Sequence, residues 1–315
     1  MNSLPNFFIG GAPKTGTTSF HNYLDQHPSI FMSPIKEPHY FSKDIRCKNF
    51  DSRFKIQDCF DIKEYLSHDP LPSKHAAFCI EEEEDYLALF KGVSSEKIIG
   101  ESSVFYLWSH DAAEEIFKFN PDAKLVFFLR NPVERAFSHW LMDFRDGRAM
   151  RATFSEAVKQ DQEVAKRQWG NSFLYLELGL YSRQLAKYFE LFPKDQIKII
   201  LFDDVKRNTQ QILDEIFDFL QVERMSIDTE KKYNETKSVM RYSIFAKARK
   251  NKFYKKILGV IPINLKELIK EKFLLTHNIP MLSSSDKIKF FPYFKEDIEH
   301  LEKMIDRDLS TWKIV

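Results

Sequence analysis

Nothing limits what this chain can fold into more than the run Asn6-Phe7-Phe8-Ile9-Gly10-Gly11-Ala12-Pro13-Lys14-Thr15-Gly16-Thr17-Thr18-Ser19. The apolar stretch at its start reads as a short buried strand, and the glycines after it permit a tight turn. From Thr17 to about Gln26, the spacing of Phe20, Tyr23 and Leu24 places apolar side chains on one helical face, and His27-Pro28 ends the helix. A strand entering a glycine loop and a helix leaving it aim successive backbone N–H groups, and the positive end of the helix dipole, at one point. Such a point suits a phosphate-like anion. Lys14 adds a mobile cation, and Thr15, Thr17, Thr18 and Ser19 add hydroxyl donors.

The nucleoside-triphosphatase P-loop reads G-x-x-x-x-G-K-S/T. Gly11 and Gly16 keep its spacing, but Thr17 follows Gly16 and the lysine has moved into the loop, as Lys14. So placed, it loses its reach to a γ-phosphate and lies alongside the anion. Thr18 keeps a hydroxyl of the kind that holds Mg²⁺, and the strand end Phe202-Asp203-Asp204 carries an acidic pair. The expectation is nonetheless a nucleotide anion gripped without a metal.

The rest of the chain alternates strands with helices. Lys97–Gly100 reads as a second strand, ending at Glu101-Ser102-Ser103, and Asp111–Phe119 as a helix. Lys124–Arg130 is apolar through its middle, as in a parallel strand covered on both faces. Asn131-Pro132 then opens a helix as cap and first turn. Helices follow near 153–168 and 180–192, a buried strand at Gln196–Phe202, and a helix at Asn208–Leu220 with Ile212, Ile216 and Phe219 on one face. The expected fold is α/β, a P-loop-type parallel sheet of about four to five strands with helices on both faces. Residues 28–75 read as irregular with short elements, and from about 226 onward the chain reads as helical, most clearly at Ile288–Leu309. With no Gly/Ser linker, we expect a single domain over 1–315, an α/β core at 5–222 and a mainly helical part at 223–315.

Composition removes several classes. The 47 Lys+Arg against 46 Asp+Glu argue against binding nucleic acid through bulk charge. With 43% hydrophobic and 30% charged residues, the chain is not mainly disordered. Cys47, Cys59 and Cys79 lack metal-ligand spacing and read as free thiols. The acids Glu81–Asp85 read as a solvated face or helix start. No apolar run approaches the ~18 residues of a membrane span. With no basic leader ahead of Phe7, the expected compartment is the cytoplasm.

A second anion site is legible in Leu129-Arg130-Asn131-Pro132-Val133-Glu134-Arg135-Ala136-Phe137-Ser138. Arg130 stands at the carboxyl end of the clearest strand, where open α/β sheets bind ligands. Ser138, two turns into the next helix, faces the same crevice. The guanidinium fork matches phosphate oxygens. Arg135 is expected to pair on the surface or at the sheet edge.

Together, Pro13-Lys14-Thr15-Gly16-Thr17-Thr18 and Arg130-Asn131-Pro132 with Arg135 and Ser138 resemble the sulfotransferase family that uses 3′-phosphoadenylyl sulfate (PAPS). The likeness points to the branch holding heparan-sulfate and bacterial carbohydrate or small-molecule sulfotransferases. It is strong over 5–222 and loose beyond. It implies that Lys14, Gly16, Thr17 and Thr18 bind the 5′-phosphosulfate, and that Arg130 and Ser138 bind the 3′-phosphate. Lys36-Glu37-Pro38-His39-Tyr40-Phe41 is similar to the family's acidic catalytic segment, and Gly100-Glu101-Ser102-Ser103 with Tyr106 to its second active-site strand end. Gly179-Leu180-Tyr181 and Phe202-Asp203-Asp204-Val205 match further landmarks.

The implied reaction is metal-free, in-line transfer of a sulfuryl group to a hydroxyl or amine of a carbohydrate or small metabolite, leaving adenosine 3′,5′-bisphosphate. Lys14 and the loop N–H groups would stabilise the leaving charge. Glu37 is the expected base, its pKa raised by burial beside Tyr40 or Phe41. His39 is the rival base, and Glu101 a candidate orienter of the acceptor or of Lys14. A loop from Tyr233 to Arg241 is expected over the nucleotide, with Lys237 or Arg241 near a phosphate. One departure is Ser102, where heparan-type relatives often carry a lysine; it removes a cation from the acceptor side. The basic run Lys247–Lys256 reads either as a contact for an anionic acceptor or membrane surface or as a solvated helix face, and Trp108, Trp140, Trp169 and Trp312 read as core. Two other readings stay open: a P-loop kinase or nucleotide hydrolase, and a non-catalytic nucleotide- or glycan-binding module.

Overall fold

Phe7, Phe8 and Ile9 are all fully buried, because their strand is flanked by sheet on both sides and covered on both faces. The structure is a computed structural model describing residues 4–46, 50–51, 62–75, 80–146, 148–149, 153–230, 239–240, 275–276 and 279–313. Its main sheet joins β1 (Phe7–Gly11), β2 (Ile30–Met32), β5 (Ile98–Ser102), β6 (Lys124–Leu129) and β7 (Ile197–Leu201) in the order β2-β5-β1-β6-β7. All its pairings are parallel, with Phe8 opposite Glu101 on one side and Leu125 on the other. Two short pairs stand apart, β3 (Ile35–Lys36) with β4 (Lys74–His75), and β8 (Val239–Met240) with β9 (Leu275–Thr276).

The period of two along each strand divides the core. Phe7, Ile9, Val126 and Phe128 meet α1 (Thr17–Leu24) and α9 (Thr209–Leu220) on one face. Phe8, Leu125, Phe127 and Leu129 face the other way, toward α4 (Ala112–Phe119), α5 (Pro132–Arg145), α7 (Tyr181–Leu191) and α10 (Ser284–Ile305). Burying each large apolar side chain is worth roughly 1.5–3 kcal/mol, so a one-residue slip, which would exchange the two faces, is strongly disfavoured. Asn131 caps α5 by accepting the N–H groups of Val133 at 3.1 Å and Glu134 at 3.3 Å, a contribution of about 1 kcal/mol.

Several expectations shift. β2 lies in the stretch read as irregular; at three residues it is too short for a period, yet it forms the sheet edge. The helix expected to run to 168 ends at Gln162, and β7 stops at Leu201 because Phe202 begins α8 (Phe202–Arg207). α10 starts earlier than Ile288, where Ser283 accepts the Asp286 N–H at 3.1 Å. Its Phe290, Phe294, Ile298 and Leu301 join the larger core. The acids near 81–85 open α3 (Glu83–Ala88), where they complement the dipole. Arg135 is not at the surface: it is fully buried and donates to the Tyr175 carbonyl, because it shares the core-facing side of α5 with His139 and Asp143 at helical spacing. Cys47, Cys59, Cys79, Lys237, Arg241 and the basic run 247–256 lie outside the described residues.

Candidate active site

The carboxyl ends of β1, β6 and β7 open into one cavity of about 760 Å³. Strand order reverses around β1, so its end loop and that of β6 flank the crevice where such sheets bind ligands. Pro13, Lys14, Gly16, Thr17, Thr18 and Ser19 line it, and so do Arg130 and Ser138. The two anion sites read from separate parts of the sequence therefore face the same space.

Local geometry explains the loop. Gly16 has φ +90°, in the left-handed region, and a Cβ there would stand 3.3 Å from the Phe202 ring. Thr15 does not line the cavity; it is fully buried and its hydroxyl closes the loop onto the Ala12 carbonyl at 2.5 Å. Lys14 is mostly buried, and among the described residues its ammonium reaches the Met142 thioether at 3.5 Å, a weak acceptor. Burial pushes its pKa down to about 8; Arg145 and Arg130 push the same way, while Asp143 and Asp146 oppose them.

Arg130 donates through Nε and Nη2 to one oxygen of Glu134, at 3.3 and 3.1 Å, and lies 4.8 Å over the Phe202 ring. Lys206 flanks the same ring at 5.1 Å and stands 3.8 Å from Glu134. Phe202, Lys206, Arg145, Arg148 and Trp169 are lining residues that the sequence reading did not assign to the site. The signal for Lys206 was present: it sits one helical turn beyond Phe202, which itself follows a strand end as Arg130 does. Trp169 corrects the reading of the tryptophans as core, since it lines the cavity, packed 3.9 Å from Phe105. Asp203 and Asp204 are engaged with other partners, Asp203 with Lys206 and the Trp312 indole, Asp204 with Arg207 and Arg307.

Of the carboxylate candidates, Glu37 lines the cavity and Glu101 does not. Lys36 Nζ stands 2.7 Å from Glu37 Oε1, so a cation adjoins the acid from β3. Ser102 is turned to α1, with Oγ 2.9 Å from His21 Nδ1. His39 lies behind the wall: it is buried against Phe105 and Tyr106, its Nε2 3.5 Å from Glu37 Oε2. Tyr40 and Phe41 are core residues, Tyr40 stacked on Tyr86 at 4.4 Å, and neither lines the cavity. Glu101 is fully buried, and desolvation lifts its carboxyl to about 7 against the pull of Tyr106, Ser103 and Lys36. Asp143, also fully buried, is lifted to about 7 by desolvation against Arg148 and the Tyr175 hydroxyl.

The sequence model of the sulfotransferase family matches residues 5–226. The chain belongs to the sulfotransferase family. A bacterial sulfotransferase from Alicyclobacillus acidocaldarius, solved by crystallography, is 28% identical, superposes with a TM-score of 0.70, and is covered completely by 99% of this chain. Mouse carbohydrate sulfotransferase 15 is 26% identical over 262 residues, which take up 72% of this chain and 45% of that one. The membrane-associated sulfotransferase kil1 of Dictyostelium discoideum is 23% identical over 296 residues, 70% of this chain and 56% of its own. The chain thus spans about half the length of these two relatives. The cytoplasmic expectation is corrected here: the relative kil1 is a membrane-associated sulfotransferase, and the residues ahead of Phe7 assign no compartment. Among the described residues, no helix is long and apolar enough to cross a membrane.

Proposed function

We propose that this sulfotransferase moves a sulfuryl group from 3′-phosphoadenylyl sulfate to a hydroxyl or amine of a carbohydrate or small-metabolite acceptor, with Glu37 as the base. One observation carries the reading: Lys14, Arg130 and Glu37 line a single cavity. The residues fit the nucleotide. The Lys14 ammonium is buried against a thioether, and an anion would supply the strong acceptor it lacks among the described residues. The guanidinium of Arg130 and the ammonium of Lys206 both lie over Phe202, two cations and a ring suited to a phosphate beside an adenosine.

Bound there, the nucleotide would supply an activated sulfuryl group. The protein's part is then charge and proton management. The loop N–H groups and Lys14 balance negative charge where the phosphosulfate bridge breaks. Glu37 accepts the proton of the attacking hydroxyl or amine, while Lys36 on its other oxygen orients the carboxylate. Arg130 and Ser138 would hold the 3′-phosphate, Pro13 and Ser19 complete the loop wall, and the proton on Glu37 passes to solvent after release. Calorimetry in EDTA tests the donor site: tight binding of adenosine 3′,5′-bisphosphate and weak binding of ATP are expected. The opposite order, or a requirement for Mg²⁺, overturns the reading.

A further inference from the structure

The segment carrying Glu37 is strained and held from outside. Glu37 and His39 both have left-handed backbones, φ +70° and +56°, which side chains with a Cβ resist. Alternate N–H groups of this segment are each accepted by the end of β5 or the turn after it. Glu37 N–H donates to the Ser102 carbonyl at 2.8 Å, His39 N–H to Ser103 Oγ at 3.0 Å, and Phe41 N–H to the Tyr106 hydroxyl at 3.4 Å. Both hydroxyls in turn donate to one carboxylate: Ser103 Oγ to Glu101 Oε2 at 2.9 Å, and the Tyr106 hydroxyl to Glu101 Oε1.

We propose that Glu101 is a positioning residue: as a carboxylate it takes the protons of Ser103 and Tyr106, leaving both hydroxyl oxygens to accept from His39 and Phe41 and so fixing Glu37 at the cavity wall. This inference rests on Glu37 being the base. A hydroxyl has one proton, and it accepts a backbone N–H well only if that proton points elsewhere. The two carboxylate oxygens receive the two protons. The other groups facing Glu101 are donors or cations: Tyr86 from α3, Tyr188 from α7 and Lys36 from β3. The buried Tyr86 hydroxyl is a third donor turned toward the same carboxylate. Protonating Glu101 turns one of these acceptor oxygens into a donor, so the hydroxyl on that oxygen must send its own proton elsewhere and its hold on the backbone N–H weakens. The elevated pKa of Glu101, about 7, places this change near neutrality, so the clamp tightens as pH rises.

The test is amide hydrogen exchange followed by NMR, expressed as protection relative to the free-peptide rate, with affinity for adenosine 3′,5′-bisphosphate measured on each variant to verify the fold. In the wild type, protection of His39 and Phe41 is expected to rise ~10-fold between pH 6 and 8, the worth of one ordinary hydrogen bond. E101Q, which keeps the shape but not the charge, is expected to abolish that rise. S103A is expected to lower protection at His39 and leave Phe41 protected; Y106F reverses the pattern. These milder variants keep the test decisive if E101Q does not fold. Sulfate release from 3′-phosphoadenylyl sulfate, with water as the acceptor probe, is expected to fall ~10-fold in S103A while bisphosphate affinity holds. Flat protection across pH in the wild type, or unchanged protection in S103A and Y106F, overturns the proposal. Equal sulfate release by E37Q and wild type overturns the base assignment beneath it, and exchange distinguishes that failure from a failure of the clamp.

Discussion

Arg130→Ala isolates one end of the nucleotide. In the free protein this guanidinium is part-buried, paired to Glu134 at 3.1 Å and laid over Phe202. A phosphate arriving at the cavity would gain charge-assisted hydrogen bonds from it, and losing such a group costs about 2 kcal/mol or more. At 1.4 kcal/mol per decade that is a ~30-fold or larger rise in Kd for adenosine 3′,5′-bisphosphate. The structure pushes the figure upward, because alanine also leaves Glu134 with Lys206, 3.8 Å away, as its remaining cation near the site. The control is adenosine 5′-monophosphate, which lacks the 3′-phosphate; its affinity should change less than ~3-fold, the range of an indirect effect. Titration calorimetry of both ligands against wild type and R130A, at matched salt, gives the four values of the cycle. An equal loss for both ligands would show that Arg130 shapes the cavity and does not hold the 3′-phosphate.

Glu37→Gln should reduce sulfuryl transfer ~10²-fold or more and leave bisphosphate affinity near intact, as measured by radiolabelled transfer and calorimetry; normal turnover removes Glu37 as base. Lys14 is charged below its pKa of about 8, so affinity for the anionic nucleotide should be full below pH 8 and decline above it. Calorimetry near pH 8 in buffers of different ionisation enthalpy should register proton uptake, and a flat profile from pH 7 to 9 would contradict this. Asp143, whose carboxyl is held at about 7 in the fold, favours the native state below the unfolded value, and that contribution is lost as pH rises toward 7. D143N should therefore gain melting temperature relative to wild type between about pH 4 and 7 and level off above it; a gap that does not change with pH refutes the assignment.

The strand–loop–helix at 6–24 and the Arg130–Ser138 segment were legible because their signals are local. A strand end, a glycine with no Cβ and a cap are written in consecutive residues. β2 was not legible: three residues carry no period, and pairing with β5 makes them a strand. Arg135 and Lys206 exchange the roles a reading of charge suggests. One is buried by the face of α5 it occupies, the other brought to the cavity by α8. Trp169 reaches the site from a part of the chain with no local mark of it.

Glu37 and His39 show where sequence ends and tertiary structure begins. Two residues apart, they would share a side of an extended strand, and either would serve as base by residue type. The residues themselves determined that an acid and an imidazole lie two positions apart in one segment. Left-handed backbones at both positions, bound to the end of β5, decided that the carboxylate lines the cavity while the imidazole lies behind it. The reason is physical: side-chain direction follows from φ and ψ, and at these positions long-range hydrogen bonds set those angles against local preference.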